Sequence, residues 1–172
     1  CAIGLLEKSE GRHRNAADVE RFLVAGKTGY MGPWITFTKP MWNEWGKLGE
    51  HIRNTQLSVL GSNREYTTVD ARRYHNATYS IGLGAGRRFS RQVDLTGRRR
   101  IMDIGGGSGA YCIAAAKAYP GIRAVVLDVP AVCEVARDFI ADNGVADRVQ
   151  AQACDFTQDP FPVDCDVAIM AS

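Results

Sequence analysis

Ile101-Met102-Asp103-Ile104-Gly105-Gly106-Gly107-Ser108-Gly109-Ala110 is the stretch from which the rest of the chain can be read. An apolar run carrying one acid breaks into four glycines, and Tyr111-Cys112-Ile113-Ala114-Ala115-Ala116-Lys117-Ala118-Tyr119 follows as a helix pattern. The order is buried strand, tight glycine turn, helix N-terminus. Glycines lack Cβ, so the backbone turns sharply and a ligand can approach the peptide groups. The first helical turn adds unpaired N–H groups and a partial positive charge. Such an arrangement binds the polar part of a nucleotide-like cofactor at the carboxyl end of a parallel strand.

Downstream the pattern continues as strand and helix in alternation. A strand is expected over 123–128, a helix opened by Pro130 with Val132, Val135, Ala136, Phe139 and Ile140 on one face, a strand over 149–154, and a fourth strand from about Asp166. Alternation at this spacing predicts an α/β fold, a parallel sheet with helices on both faces. Right-handed crossovers then bring the strand ends to one edge. Three features meet there: the turn with Gly105, Gly107 and Gly109; Asp128, about 20 residues past the glycines, where an acid takes ribose hydroxyls; and Asp155 with Phe156, an acceptor for an adenine amino group beside a ring that can cover the base. The glycines also fit G-x-G-x-x-A through Ala110, so a nicotinamide dinucleotide is an alternative. Asp103 beside a pyrophosphate disfavours it, whereas a ligand with an amino group and a sulfonium suits an acid, so S-adenosylmethionine is preferred. The structural alternatives are an N-terminal cap for Asp128 and a loop acid for Asp155.

Upstream, residues 4–15 predict a short hairpin with Gly11 at positive φ, and 17–24 a helix ended by Gly26. Together they suggest the wing of a winged-helix unit, a DNA-binding or a protein–protein module. After Pro40, the residues Met41, Trp42, Trp45, Leu48 and Ile52 recur at helical steps. They are expected to pack in a core, with Trp34, Phe37, Met41 and Trp42 as the alternative lining of a flat aromatic pocket. Residues 54–63 read as a linker, and 67–82 as a helix ended by Gly82, Gly84 and Gly86. Two arginine clusters, Arg87/Arg88/Arg91 and Arg98/Arg99/Arg100, read as solvated surface, with a nucleic-acid patch as the alternative.

The 172 residues carry a net charge of +2 and 45% hydrophobic residues, the profile of a globular chain. No run approaches the roughly 18 apolar residues of a membrane span. No signal peptide is seen before Glu7, and the five cysteines lack C-x-x-C spacing, so reduced thiols in a cytoplasmic protein are expected, with no metal.

Asp103-Ile-Gly-Gly-Gly-Ser-Gly109, Val126-Leu-Asp-Val-Pro130 and Asp147-Arg-Val149 leading to Cys154-Asp-Phe156 resemble the small-molecule O-methyltransferases of the caffeic-acid and bacterial polyketide or hydroxyneurosporene type. Residues 4–23 are similar to the tail of that family's N-terminal dimerisation domain. The resemblance implies a Rossmann-like class I methyltransferase sheet, of which the first four strands are present, preceded by the end of a mostly helical winged-helix-like dimerisation domain. The expected divisions are 1–62 for the end of that domain with the aromatic helix, 63–98 for a connecting helix and linker, and 99–172 for the cofactor domain. It implies a homodimer, S-adenosylmethionine as donor and a small, usually aromatic acceptor hydroxyl. The implied cofactor residues are Gly105, Gly107, Asp128, Asp155 and Phe156, which join Asp103 from the reading above; the implied acceptor position is Tyr74 and Thr78, which join Trp34 and Met41 of the aromatic stretch as the candidate acceptor pocket. Thr78 stands where the family usually has Met. The family's catalytic His comes after strand four, beyond Ser172, and His13, His51 and His75 do not match it. The chain starts without Met and stops within an apolar strand, so it is expected to be part of a longer enzyme. Nucleic-acid or other N- or C-methyltransferases, a winged-helix nucleic-acid-binding protein and an NAD-dependent reductase are the competing functions.

Overall fold

The computed structural model describes residues 1–54 and 66–171, so the expected linker over 54–63 falls almost wholly outside the described residues. The chain forms two compact units, Cys1–Glu65 and Tyr66–Ser172.

The first unit begins with the expected hairpin, β1 (Leu6–Ser9) against β2 (Arg12–Asn15), in a register that pairs Leu6 with Asn15 and Ser9 with Arg12. Its two-residue turn places Glu10 at φ 50° as well as Gly11 at φ 76°. Both central residues therefore take the left-handed conformation that suits the strand twist of a tight hairpin. Four short helices follow: α1 (Ala17–Phe22), α2 (Gly32–Thr38), α3 (Met41–Gly46) and α4 (Leu48–Asn54). The stripe after Pro40 does not pack in a core. The helix breaks at Lys47, next to Gly46, and Trp42, Ile52 and Trp45 remain 81%, 69% and 66% exposed. Helices of six or seven residues are too short to be stable unless a partner surface holds them. Among the described residues of this unit none is fully buried.

The second unit is a parallel sheet in the order β5-β4-β3-β6. Its strands are β3 (Arg100–Ile104), β4 (Arg123–Asp128), β5 (Val149–Ala153) and β6 (Val167–Ile169). The central register sets Asp103 opposite Val126 and Ile169. Helices α5 (Thr68–Gln92), α6 (Ala110–Ala118) and α7 (Pro130–Asp142) complete it. Leu83, Ile101, Ile113, Val126, Ile140 and Val149 share one core, while Ile104, Val125, Leu127 and Cys154 form a second on the other face of the sheet.

The expected helices on both faces are not what the described residues show. Moving from β3 to β4 to β5, the strand order keeps one direction, and right-handed crossovers keep α6 and α7 on one face. The return from β5 past β3 to β6 crosses the opposite face, and its segment contributes Cys154 and Cys165 to the second core rather than a helix. The direction reverses between β3 and β6, which makes the end of β3 the switch point where α/β sheets bind ligands.

Helix α5 also departs from expectation: it does not stop at Gly82 but runs on to Gln92. It starts in a capping box, Thr67 with Asp70, each side chain bonded to the other's backbone N–H. Gly82 and Gly86 lie inside the helix because α6 crosses there. A Cβ on Gly82 would meet the Cβ of Ala110 at 3.2 Å, and one on Gly86 would meet the Ala110 carbonyl and the Tyr111 Cα at 2.9 Å. Tertiary contact thus outweighs the roughly 1 kcal/mol that a helical glycine costs. Contacts to α7 fix the other flank: Arg72 Nη2 donates to Asp138 Oδ2 at 2.6 Å, Thr68 Oγ1 to Glu134 Oε2 at 2.8 Å and Asn143 Nδ2 to the Tyr79 hydroxyl at 2.6 Å. No described helix is long and apolar enough to cross a membrane.

Candidate functional site

The turn that ends β3 is held by backbone first. Gly105 N–H donates to the Leu127 carbonyl at 2.8 Å, and Gly105, Gly107 and Gly109 all have positive φ, at 67°, 58° and 74°. A side chain on Gly105 would enter open space, so this peptide borders an opening. Gly109 caps α6 without any side-chain bond to the helix N-terminus.

Asp128 ends β4 beside that turn. Its Oδ2 accepts from Gly107 N–H at 2.9 Å and its Oδ1 from Val129 N–H at 2.8 Å. It does not cap α7, whose N-cap is Val129 with no side-chain bond. The carboxylate instead braces the glycine loop and stays partly exposed, with lone pairs left for hydroxyl donors. The chain leaves β5 next to it, since Cys154 N–H donates to the Asp128 carbonyl at 2.9 Å. Asp155 follows, and its carboxylate is drawn into a local turn. Oδ1 accepts from Thr157 N–H at 3.0 Å and from its hydroxyl at 2.6 Å, and Oδ2 accepts from Gln158 at 3.1 Å. The Thr157 hydroxyl bond is the main reason its carboxyl lies below the usual range, followed by the Thr157 backbone bond. Phe156 is 49% exposed.

Asp103 reaches the loop from beneath rather than from the opening. It is 2% exposed, and a Cβ on Gly106 would lie 2.7 Å from its Cγ. Cys112 Sγ donates to its Oδ2 at 3.8 Å. Burial pushes the carboxyl up to about 7, and the nearby charge of Asp128 adds to the rise against the opposing Cys112 bond. Any influence of Asp103 on a ligand therefore passes through the Gly105–Gly107 backbone or acts as charge at a distance.

Of the expected acceptor residues, Tyr74 is 45% exposed on α5, and Thr78 turns its hydroxyl back to the Tyr74 carbonyl at 3.1 Å. Trp34 and Met41 belong to the first unit, where the Trp34 ring stacks on Phe37 at 5.9 Å. Sequence reasoning missed the part His75 plays. Its ring is 8% exposed and lies against Gly107, where an added Cβ would stand 2.7 Å from Cε1. The signal was present: Ala71, His75, Gly82, Gly86 and Ser90 recur at steps of four and seven along α5. That spacing puts the His on the face that meets α6 and the loop. Among the described residues no group of three His, Cys, Asp or Glu side chains is placed to hold a metal.

A parallel sheet with its glycine loop at the switch point and a carboxylate at the end of the neighbouring strand defines a Rossmann-like nucleotide-binding fold. Residues 62–172 match the O-methyltransferase domain family, and the chain belongs to it. It is 32% identical to the 3-hydroxy-5-methyl-1-naphthoate 3-O-methyltransferase of Streptomyces sahachiroi, an alignment covering 99% of this chain and 51% of that protein. Over 76 residues, 44% of this chain and 20% of the other, it is 41% identical to the demethylspheroidene O-methyltransferase of Cereibacter sphaeroides. Among solved structures, human N-acetylserotonin methyltransferase in complex with SAM superposes with a TM-score of 0.78 at 22% identity, covering 98% of this chain and 52% of that one. The chain spans about half the length, or less, of the relatives it matches.

Proposed function

We propose that this chain is the cofactor-binding part of an S-adenosylmethionine-dependent O-methyltransferase acting on a hydroxyl of a small, aromatic secondary metabolite. The observation that carries the reading is the Asp128 carboxylate held by Gly107 N–H at 2.9 Å, beside the open side of Gly105. Such a carboxylate suits a ribose diol, and a peptide bare of Cβ suits the thioether or sulfonium chain next to it. Asp155 and Phe156 would face the adenine, and Asp103 would lie under the loop. Bound there, S-adenosylmethionine supplies an electrophilic methyl. The protein's task is then to hold an acceptor oxygen in line with it, and positioning of this kind supplies several kcal/mol of the barrier reduction. Tyr74 and Thr78 on α5 are the acceptor-side residues of this reading. Family membership and the naphthoate-methylating relative support the hydroxyl acceptor.

The same reading includes a homodimer built through a winged-helix-like first unit and a cytoplasmic setting. The hairpin and the exposed Trp42, Trp45 and Ile52 support the first, and five free thiols, three of them buried, support the second.

Calorimetry of the full-length protein decides the cofactor. Micromolar binding of S-adenosylhomocysteine without binding of NAD is expected, together with methyl transfer to a panel of phenolic acceptors and a mass by light scattering of two chains. Binding of NAD in place of S-adenosylhomocysteine overturns the methyltransferase reading, and a single-chain mass overturns the dimer.

A further inference from the structure

We infer that His75 is a positioning residue for the cofactor loop: its ring presses on Gly107 and keeps that peptide's N–H aimed at Asp128. The use of the loop for S-adenosylmethionine rests on the function proposed above; the mechanical claim about Gly107 does not.

Gly107 sits at φ 58°, a conformation from which a glycine can swing at little cost. Two contacts restrain it. On one side its N–H is bonded to Asp128 Oδ2 at 2.9 Å. On the other lies the imidazole, with a Cβ built on Gly107 falling 2.7 Å from Cε1, 3.3 Å from Nδ1 and 3.7 Å from Nε2. The ring thus occupies the volume a side chain would need, and only the bare Cα of glycine lets it come so close.

The ring itself is fixed. Tyr74 meets it edge-on, with centroids 5.2 Å apart at 83°. Its helix is clamped on both flanks, to α6 through Gly82 and Gly86 and to α7 through Arg72, Thr68 and Tyr79. Burial lowers the imidazole's affinity for a proton, opposed by the charge of Asp128, and the ring against the loop is flat in either protonation state. On this inference a flat group fits the gap and a tetrahedral branch of similar volume displaces Gly107.

Two variants of the full-length protein test it, His75→Leu and His75→Gln. Leucine fills the site and keeps the thermal midpoint near that of the parent, but its branch displaces Gly107. S-adenosylhomocysteine binding measured by calorimetry is expected to weaken by about 10-fold, while the planar amide of glutamine, which reaches as far as the imidazole, holds it within about threefold of the parent. In the ligand-free protein, hydrogen exchange at the Gly107 amide is expected to quicken by about 10-fold in the leucine variant and not in the glutamine variant, since loss of a held bond exposes the amide. Leucine binding the ligand like the parent, or glutamine losing as much as leucine, overturns the inference. If the parent binds no S-adenosylhomocysteine, the cofactor reading falls, and the exchange measurement alone decides the role of His75.

Discussion

Asp128→Ala weakens the binding of S-adenosylhomocysteine by about 100-fold or more, because each hydrogen bond to a carboxylate contributes on the order of 1.5–3 kcal/mol and the variant removes several at once. The loss has two parts. On the proposed function the ribose hydroxyls lose their acceptor, and Gly107 N–H loses the oxygen that holds it at 2.9 Å. Asp128→Asn separates them, since the amide oxygen can still take one donor, and about a 10-fold loss is expected there. Titration calorimetry of both variants reads the effect directly. An alanine variant that binds within threefold of the parent would remove Asp128 from the site.

Gly86→Val lowers stability by about 3 kcal/mol or more, near the upper end of what overpacking costs, and the thermal midpoint by about 10 °C for a chain of this size. The new Cβ would stand 2.9 Å from the Ala110 carbonyl and the Tyr111 Cα, and both are backbone atoms of the first turn of α6. They cannot rotate aside as a side-chain end can, so α5 and α6 must separate. The separation also shifts the helix N-terminus that follows the glycine loop, so ligand affinity falls with stability. Gly84→Ala is the control on the same helix. Its Cβ would enter open space, and replacing a helical glycine there gains up to about 1 kcal/mol. Thermal unfolding of the two variants should move in opposite directions; a parallel fall would show that the glycines matter to α5 for a reason other than its crossing with α6.

These two glycines show where sequence reading ends. Both look alike in the sequence, as punctuation after a helix, yet one faces solvent and the other the backbone of a neighbouring helix. The β-α alternation from Arg100 onward was legible because each of its signals is local. Period-two and period-3.6 patterns, Pro130 at a helix start and Asn143-Gly144 at its end mark their elements without knowledge of what packs on them. The positions of Gly105, Gly107 and Asp128 at one sheet edge follow from that alternation together with the handedness of crossovers. The stripe of Met41, Trp42, Trp45, Leu48 and Ile52 carried the same kind of signal but misled, because periodicity reports that a face is apolar and not what covers it.

By itself the sequence determined the alternation of strand and helix, the parallel sheet, the glycine turn that ends its first strand and the carboxylates that follow the next two strands, since all of these come from short-range pattern and chain chirality. Tertiary structure alone decided that α5 runs through its glycines, that Asp103 lies under the loop and that Asp155 is drawn into its own turn. It also decided that His75 rests on Gly107. Each of these depends on how close two distant segments approach, and that distance is set by packing volume, which no local pattern records.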